Sequence, residues 1–173
     1  LYLMRICLLG ASGSIGTQTI DVVLKNYDDF DIVAFSVGEN TQIIPKILKK
    51  FSNVKAICVK HGFVARRLEK KYPEITFYHG DDGLLDIIRK TDFDMLVNAL
   101  VGFVGLKPTL VGLQCNKVVC LANKESLVVG GELVKDVLTT THGKLFPIDS
   151  EHVALAKCLA VDSNHVEKLI LTA

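Results

Sequence analysis

The chain has 173 residues, of which 49% are hydrophobic and 23% are charged, and its formal net charge is +1. This size and composition are typical of a folded domain with a substantial core, and they exclude a disordered or low-complexity chain. The near-neutral charge gives no argument for nucleic acid or an anionic membrane as a partner, and no apolar run approaches the ~18 residues of a membrane span.

Short apolar runs alternate along the chain with longer segments of helical periodicity. The runs that predict strands are Arg5–Leu9, Ile32–Val37, Ala56–Val59, Ile75–Tyr78, Met95–Leu100, Val118–Leu121, Leu145–Ile148 and Leu169–Thr172. Between them, apolar residues three and four apart, such as Ile20, Val23 and Leu24, predict helices. Continuous apolar strands separated by amphipathic helices are typical of a parallel sheet covered on both faces. The sequence therefore predicts an α/β fold with a doubly wound, Rossmann-like parallel sheet, in which ligands bind beyond the carboxyl ends of the strands.

A glycine-rich turn follows the first predicted strand. Gly10, Gly13 and Gly16 have the spacing G-x-x-G-x-x-G between the end of a strand and the start of a helix. Glycines let the backbone approach a ligand closely, and a helix N-terminus offers free N–H groups to a diphosphate. The strand-turn-helix context favours dinucleotide binding. A tight structural turn in another α/β fold is the alternative.

The second predicted strand ends in Ser36-Val37-Gly38-Glu39-Asn40. An NAD-preferring enzyme usually places a carboxylate at the tip of this strand, about 20 residues past the glycines, to bond the ribose 2′-OH. Ser36 occupies roughly that place, and Glu39 is close enough to reach a ribose. We expect no Arg or Lys nearby for a 2′-phosphate. These residues do not decide whether the cofactor is NAD or NADP, and Glu39 could equally be a solvated loop carboxylate.

The fifth predicted strand runs into a glycine-containing loop. Gly102 and Gly105 would allow close approach of a ligand, and Pro108 stands where the first turn of a helix tolerates proline. Simple turn chemistry explains the same residues, so both interpretations stay open.

Polar residues follow the sixth predicted strand as Asn123-Lys124-Glu125-Ser126. Helix capping by Asn123 or Ser126, with Lys124 in water, is the simpler interpretation. Gly130-Gly131 inside the helix that follows costs about 1 kcal/mol per residue relative to Ala. That cost indicates a backbone shape held for a purpose, which favours a functional role for this strand end.

The seventh predicted strand is followed directly by Asp149, Ser150 and Glu151. In an extended segment the two carboxylates project to the same side, where their hard oxygens suit Mg²⁺ or Mn²⁺. Ser150 could donate to a substrate hydroxyl or phosphate. The same residues also make a good helix start, with acidic groups at the positive end of the dipole. Because these residues lie on the same sheet edge as the other strand ends, the interpretation as a metal and substrate site is favoured over a simple helix start. Of the histidines only His152 lies beside it, where capping or packing fits better.

The cysteines and the two ends of the chain give further expectations about the protein. Five cysteines are present without a C-x-x-C pair, which predicts reduced core thiols of a cytoplasmic protein. The first ten residues read into a strand and lack a signal-peptide pattern. A strand at Leu169–Thr172 with nothing after it suggests a piece of a longer protein.

Three motifs, "GASGSIGTQTIDVV", "LANKESLV" and "PIDSEH", in this order and spacing, resemble the 1-deoxy-D-xylulose 5-phosphate reductoisomerase family. The resemblance runs along the whole chain. It implies NADPH- and divalent-metal-dependent isomerisation and reduction of 1-deoxy-D-xylulose 5-phosphate to 2-C-methyl-D-erythritol 4-phosphate, in non-mevalonate isoprenoid biosynthesis. It also implies an NADPH-binding domain at 1–149 and the truncated start of an α+β catalytic domain at 150–173. The fragment would be inactive, and the full-length enzyme a cytoplasmic homodimer.

The resemblance also assigns residues to the cofactor. The implied cofactor-binding positions are Ser12, Gly13, Ser14, Ile15, Gly38, Glu39, Asn40, Asn123 and Glu125. The first four would hold the diphosphate, and 38–40 would border the adenosine ribose. Many relatives have Lys or Arg where this sequence has Glu39, and a carboxylate there would repel a 2′-phosphate.

The remaining implied roles concern substrate and metal. Lys124, Ser150 and Glu151 would bind the sugar phosphate, and Asp149 and Glu151 would bind Mg²⁺ or Mn²⁺ with one further carboxylate from beyond residue 173. Lys124, Asp149 and Glu151 would be the catalytic residues. Two rivals remain: a metal-independent NAD(P) dehydrogenase in which Asp149 and Glu151 cap a helix, and a dinucleotide-sensing domain without chemistry.

Overall fold

The computed structural model describes residues 3–161 and residue 168. The strands of this part are β1 (Met4–Leu9), β2 (Phe30–Ser36), β3 (Ala56–Val59), β4 (Thr76–His79), β5 (Met95–Asn98), β6 (Val118–Leu121) and β7 (Lys144–Pro147). They form one sheet in the order β4-β3-β2-β1-β5-β6-β7, and every pairing is parallel. The predicted doubly wound parallel sheet is confirmed. The predicted strand Leu169–Thr172 lies outside the described residues.

Helices connect the strands as the apolar spacing predicts. They are α1 (Ser14–Lys25), α2 (Ile44–Lys50), α3 (Gly62–Lys71), α4 (Gly80–Lys90), α5 (Leu106–Gln114), α6 (Lys124–Thr140) and α7 (Ser150–Val161). Short 3₁₀ turns at Thr41–Ile43 and Phe103–Gly105 lead into α2 and α5. Within the described part, no helix is long and apolar enough to cross a membrane.

The helices cover the two faces of the sheet in separate groups. Buried residues of α1, α2 and α3 pack with Ile6 and Leu8 of β1. Buried residues of α4, α5 and α6 pack with Cys7 and Leu9 of the same strand. Successive strand residues point to opposite faces, so residues 6–9 of β1 are buried on both sides, which explains the apolar run there.

The strand register brings the polar strand ends to one edge. Leu9 pairs with Asn98, Asn98 with Leu121, and Leu121 with Pro147. The chain leaves β1 toward β2 on one side and returns to β5 on the other, so the strand order reverses between β1 and β5. A crevice at such a reversal is the usual ligand site of an open parallel sheet.

The cysteine prediction is confirmed only in part. All the cysteines are free; Cys7 and Cys58 are buried, while Cys115 and Cys120 are half-buried. Burial raises the pKa of the Cys58 thiol to about 12, so the thiol is unreactive at neutral pH. Cys158 is exposed, and for that residue the expectation of a core thiol is wrong. Helix α7 presents it to solvent.

Candidate functional site

The turn after β1 has glycines because other side chains do not fit there. Gly10 has φ +80°, and a Cβ on it would lie 2.7 Å from the Ala99 carbonyl oxygen across the crevice. A Cβ on Gly16 would lie 2.1 Å from the Gly10 carbonyl oxygen. Helix α1 starts directly after Gly13, where no side chain caps it. The first N–H groups of α1 therefore remain available to an anion.

Ser36 holds this turn rather than facing a ribose. Its side chain is buried, its Oγ accepts a hydrogen bond from the Gly10 N–H at 2.9 Å, and its carbonyl accepts one from the Ala11 N–H at 2.8 Å. The expectation that Ser36 takes the place of the ribose-binding carboxylate is therefore wrong. The parallel pairing of β1 and β2 turns this hydroxyl toward the glycine backbone.

Glu39 lies in a cluster of charged side chains at the tips of β2 and β3. Lys60 Nζ is 2.7 Å from Glu39 Oε1, and His61 Nε2 is 3.3 Å from both carboxylate oxygens. The Lys60 hydrogen bond, followed by the one from His61, lowers the pKa of Glu39. The expectations that no cation stands near Glu39, and that only His152 lies beside the site, are wrong. Lys60 and His61 directly follow β3, so the strand-end rule applied to that run would have found them.

An apolar slot of about 230 Å³ opens beside this cluster. Residues at the ends of β2, β3 and β5 and at the start of α4 line it, including Val37, Val59, Leu84 and Leu100, with Lys60 at its margin. A small apolar pocket with few polar groups is typical of a small-molecule site. A larger cavity of about 420 Å³ lies at the opposite edge of the sheet, around Arg5 and Asp92, away from the predicted site residues.

Asn123 ties the end of β6 to the loop after β5. Its Oδ1 accepts hydrogen bonds from the Ser126 N–H at 2.8 Å and from the Ser126 hydroxyl. Its Nδ2 donates to the carbonyls of Leu100 and Gly102 at 2.8 and 2.6 Å. The capping interpretation is thus confirmed for Asn123, which is 2% exposed. Its contact with a cofactor stays a prediction.

Two glycines near this loop have packing reasons. A Cβ on Gly105 would lie 2.8 Å from Asn123 Cγ, and one on Gly130 would lie 2.5 Å from Leu106 Cδ1. Gly130 also departs from helical geometry, with φ −124° and ψ 20°, and kinks α6. The backbone shape inferred at Gly130 is therefore real, and it serves close packing of α6 on Leu106. A Cβ on Gly131 would meet nothing within 4 Å, so the structure does not explain that glycine.

Asp149 and Glu151 lie at the start of α7. Helix α7 begins at Ser150, so the expectation that Asp149 and Glu151 project from an extended segment is wrong. Asp149 accepts a hydrogen bond from the His152 N–H at 3.2 Å, and His152 Nδ1 lies 2.8 Å from its Oδ2. These contacts are those of the helix-start alternative: Asp149 caps α7, and the His152 ring contacts the capping carboxylate.

The structure brings Glu151 and Lys124 together across 27 positions of sequence. Lys124 Nζ lies 3.3 Å from Glu151 Oε1, and the Ser150 hydroxyl donates to Glu151 Oε2 at 3.0 Å. The pKa of Glu151 falls to about 2 because its own backbone N–H at the start of α7, then Ser150, then Lys124 favour the charged form. Both Lys124 and Glu151 are more than half exposed, so they are open to a ligand.

The donor set suits a hard divalent cation. Two carboxylates at one helix start can bind Mg²⁺ or Mn²⁺, which usually keep water or substrate oxygens as further ligands. Within residues 3–161, no group of three or more His, Cys, Asp or Glu side chains converges. The third carboxylate expected from beyond residue 173 therefore stays a prediction.

The sheet, its switch point and the glycine turn define an α/β domain of the Rossmann-like class. A family model described as 1-deoxy-D-xylulose 5-phosphate reductoisomerase matches residues 6–131, and the chain belongs to that family. The predicted family is thereby confirmed; the matched residues include the first two motifs, and the third, at 147–152, lies beyond them.

Relatives and solved structures agree with this assignment. A 1-deoxy-D-xylulose 5-phosphate reductoisomerase from Listeria innocua is 41% identical over 170 residues, which is 98% of this chain and 44% of that protein. The Zymomonas mobilis enzyme in complex with NADPH has a TM-score of 0.82 at 31% identity, covering 91% of this chain and 41% of that one. A DOX-P reductoisomerase with NADPH, fosmidomycin and magnesium has a TM-score of 0.84 at 29% identity, covering 95% and 42%. The chain spans less than half the length of these relatives.

Proposed function

We propose that the chain is the NADPH-binding domain, 1–149, and the first segment of the catalytic domain, 150–173, of a metal-dependent enzyme. The enzyme would isomerise and reduce 1-deoxy-D-xylulose 5-phosphate to 2-C-methyl-D-erythritol 4-phosphate in non-mevalonate isoprenoid biosynthesis. Family membership supports this activity. So do the related structures in complex with NADPH, and with NADPH, fosmidomycin and magnesium.

One observation carries the proposal from the structure itself. The parallel register places the glycine turn, Asn123-Lys124 and Asp149–Glu151 at one sheet edge, and Lys124 and Glu151 meet there at 3.3 Å. A dinucleotide and a sugar phosphate both need cationic or N–H donors, and a divalent cation needs carboxylates. This edge offers all three kinds of group.

In this proposal the cofactor lies across the glycine turn and the tip of β2. The N-terminus of α1 at Ser14 and Ile15, with Ser12 and Gly13 in the turn, would hold the diphosphate. Gly38, Glu39 and Asn40 are exposed at the tip of β2, beside the apolar slot, where the adenosine end would lie. Asn123 keeps the loop after β5 in place, and Glu125, exposed in the first turn of α6, would reach the cofactor from the other side.

The substrate and the metal would bind next to each other, where Lys124 and Glu151 meet at the sheet edge. When bound, the metal would polarise the substrate's carbonyl and hydroxyl oxygens, and the nicotinamide would supply hydride. Asp149 and Glu151 would hold the metal, while the Lys124 ammonium and the Ser150 hydroxyl would orient the substrate's oxygens. In these roles the metal and the substrate would compete with the contacts between Asp149 and His152 and between Glu151 and Lys124.

The capping contacts of Asp149 favour one rival, a metal-independent NAD(P) dehydrogenase. Calorimetric titration with Mn²⁺ distinguishes the proposed enzyme from this rival. It is done on a longer protein in which this chain is followed by the rest of the sequence typical of the family. Asp149→Asn keeps an oxygen acceptor for the helix cap but removes the charge, so we expect Mn²⁺ binding to be lost while folding is retained. Mn²⁺ binding that is unchanged in Asp149→Asn contradicts the metal role and supports the rival.

Activity separates the proposal from a dinucleotide sensor. With substrate, NADPH and Mn²⁺, we expect the 173-residue chain alone to consume almost no NADPH, because the third carboxylate ligand that the resemblance implies would come from beyond residue 173. In the longer protein, Lys124→Ala should reduce turnover strongly. Full turnover by Lys124→Ala, or by the chain alone, would contradict these assignments.

A homodimer and a cytoplasmic location complete the proposal. Both come from the family resemblance, and reduced cysteines agree with the location. Light scattering coupled to size-exclusion chromatography on the longer protein tests the dimer, for which a monomeric mass is the contrary outcome.

A further inference from the structure

The tips of β2 and β3 carry an exposed charge cluster that stability does not account for. The side chains of Glu39, Lys60 and His61 are 68%, 58% and 42% exposed. Ion pairs this exposed contribute little to stability because water and salt screen them. Residues that meet across 21 and 22 positions of sequence at the ligand edge of a sheet are therefore better explained by what they bind.

The cluster stands where a dinucleotide places the 2′ position of its adenosine ribose. In a doubly wound sheet the ribose lies at the tip of β2, which here is Gly38-Glu39. Lys60 borders the apolar slot that begins at Gly38. A base in that slot would leave its ribose close to Glu39, Lys60 and His61.

The contacts within the cluster show how it holds an anion. The Glu39 carboxylate accepts a hydrogen bond from Lys60 Nζ at 2.7 Å, and His61 Nε2 lies 3.3 Å from the same oxygen. Two nitrogen donors that converge on one pair of oxygens can equally converge on a phosphate. Glu39 thus occupies the position that an incoming anion would take.

An exposed aromatic ring lies against His61. Its ring stacks on Phe63, with centroids 5.5 Å apart and planes at 20°. Phe63 stands in the first turn of α3 and is 66% exposed, so its packing on His61 does not serve the core. In this stacked orientation His61 Nε2 lies 3.3 Å from both Glu39 carboxylate oxygens.

We propose that Lys60 and His61 bind the 2′-phosphate of NADP, and that Glu39 is a displaceable carboxylate that holds both donors in place until the phosphate enters. The inference rests on the proposed function, since it takes NADPH as the cofactor. It also resolves the conflict at position 39: the positive charge for the phosphate comes from the tip of β3. Glu39 then weakens NADP binding by competition without abolishing it.

Calorimetric titration of the chain with NADP⁺ and with NAD⁺ tests the proposal. We expect Lys60→Ala to weaken NADP⁺ binding about tenfold, the effect of roughly one charge-assisted hydrogen bond, and to change NAD⁺ binding by less than about twofold. Lys60→Arg should retain the preference for NADP⁺. Glu39→Gln should tighten NADP⁺ binding several-fold because the competing charge is gone. Lys49→Ala, an exposed lysine near the end of α2, is the matched control and should change neither affinity.

Three results bear on the inference in different ways. Equal effects of Lys60→Ala on NADP⁺ and NAD⁺, or no effect on either, overturn the role of Lys60. Weaker NAD⁺ binding in Glu39→Gln, with NADP⁺ no tighter, overturns the displaceable role and shows Glu39 bonding a ribose 2′-OH. If the wild-type chain binds neither dinucleotide, the proposed function itself fails, which is distinct from NADP⁺ binding that ignores Lys60.

Discussion

Gly16 offers a sharp test of the site, because its replacement by alanine adds a single methyl group at the glycine-rich turn after β1. A Cβ at Gly16 would lie 2.1 Å from the Gly10 carbonyl oxygen and 2.8 Å from two backbone atoms of Ala11. These neighbours are backbone, so no side-chain rotation relieves the overlap. The start of α1 has to move away from the turn by about 1 Å to reach a normal contact.

The cost can be worked out from two opposing terms. Overpacking against rigid neighbours costs about 3 kcal/mol or more, the upper part of the usual range. Alanine inside a helix regains about 1 kcal/mol relative to glycine. We therefore expect Gly16→Ala to reduce the free energy of unfolding by at least about 2 kcal/mol, or roughly 4–8 °C in Tm for a chain of this size.

Gly131→Ala is the matched control for this prediction. It is the same substitution inside α6, where a Cβ would meet nothing within 4 Å, so we expect a gain of about 1 kcal/mol. Urea unfolding of both variants measures the difference, and NADPH fluorescence titration should show weaker binding only for Gly16→Ala. A Gly16→Ala protein as stable as wild type, with unchanged NADPH affinity, would refute the close approach of α1 to the turn.

Two further predictions concern the neighbouring strand ends. Asn123→Ala should lower the free energy of unfolding by about 2–4 kcal/mol, since it removes a helix cap and leaves the carbonyls of Leu100 and Gly102 unpaired; a loss below 0.5 kcal/mol in urea unfolding would contradict that. For Glu151, NMR titration of the carboxyl carbon should give a midpoint near 2. A pKa lowered by folding stabilises the folded state above the unfolded pKa, and this stabilisation is lost as the pH falls toward 2. Lys124→Ala should raise the midpoint while leaving it below 4.5, because the backbone N–H and the Ser150 hydroxyl remain; an unchanged midpoint would show that the Lys124 contact is absent in solution.

The fold was largely predictable from the sequence, and the reason lies in burial. Strand segments covered on both faces are apolar at each position, as 6–9 in β1 is, with Cys7 on one face and Leu8 on the other. Such runs are visible without any knowledge of tertiary contacts. The glycine turn was predictable for a local reason, since the positive φ of Gly10 and the contacts that a Cβ on Gly16 would make with Gly10 and Ala11 lie within the turn itself.

The site was predictable only where its residues act through short-range geometry. The wrong expectations at Ser36, at Glu39 and at the extended Asp149–Glu151 segment all concern which distant or competing group a polar side chain meets. Ser36 meets the Gly10 N–H, 26 positions away. Asp149 bonds the backbone N–H of His152, because the start of α7 offers unpaired N–H groups that a strand would not.

The amino-acid sequence by itself determined the α/β class, the order of strands and helices, the glycine turn and the set of polar residues at the strand ends. These properties follow from periodicity and local backbone sterics. Only the tertiary structure decided the partners of those polar residues: Lys60 and His61 with Glu39, Lys124 with Glu151, and Asn123 with the loop after β5. Strand order in the sheet sets which tips are neighbours, and contacts of 2.6–3.3 Å between them depend on that order, which no single segment of the sequence specifies.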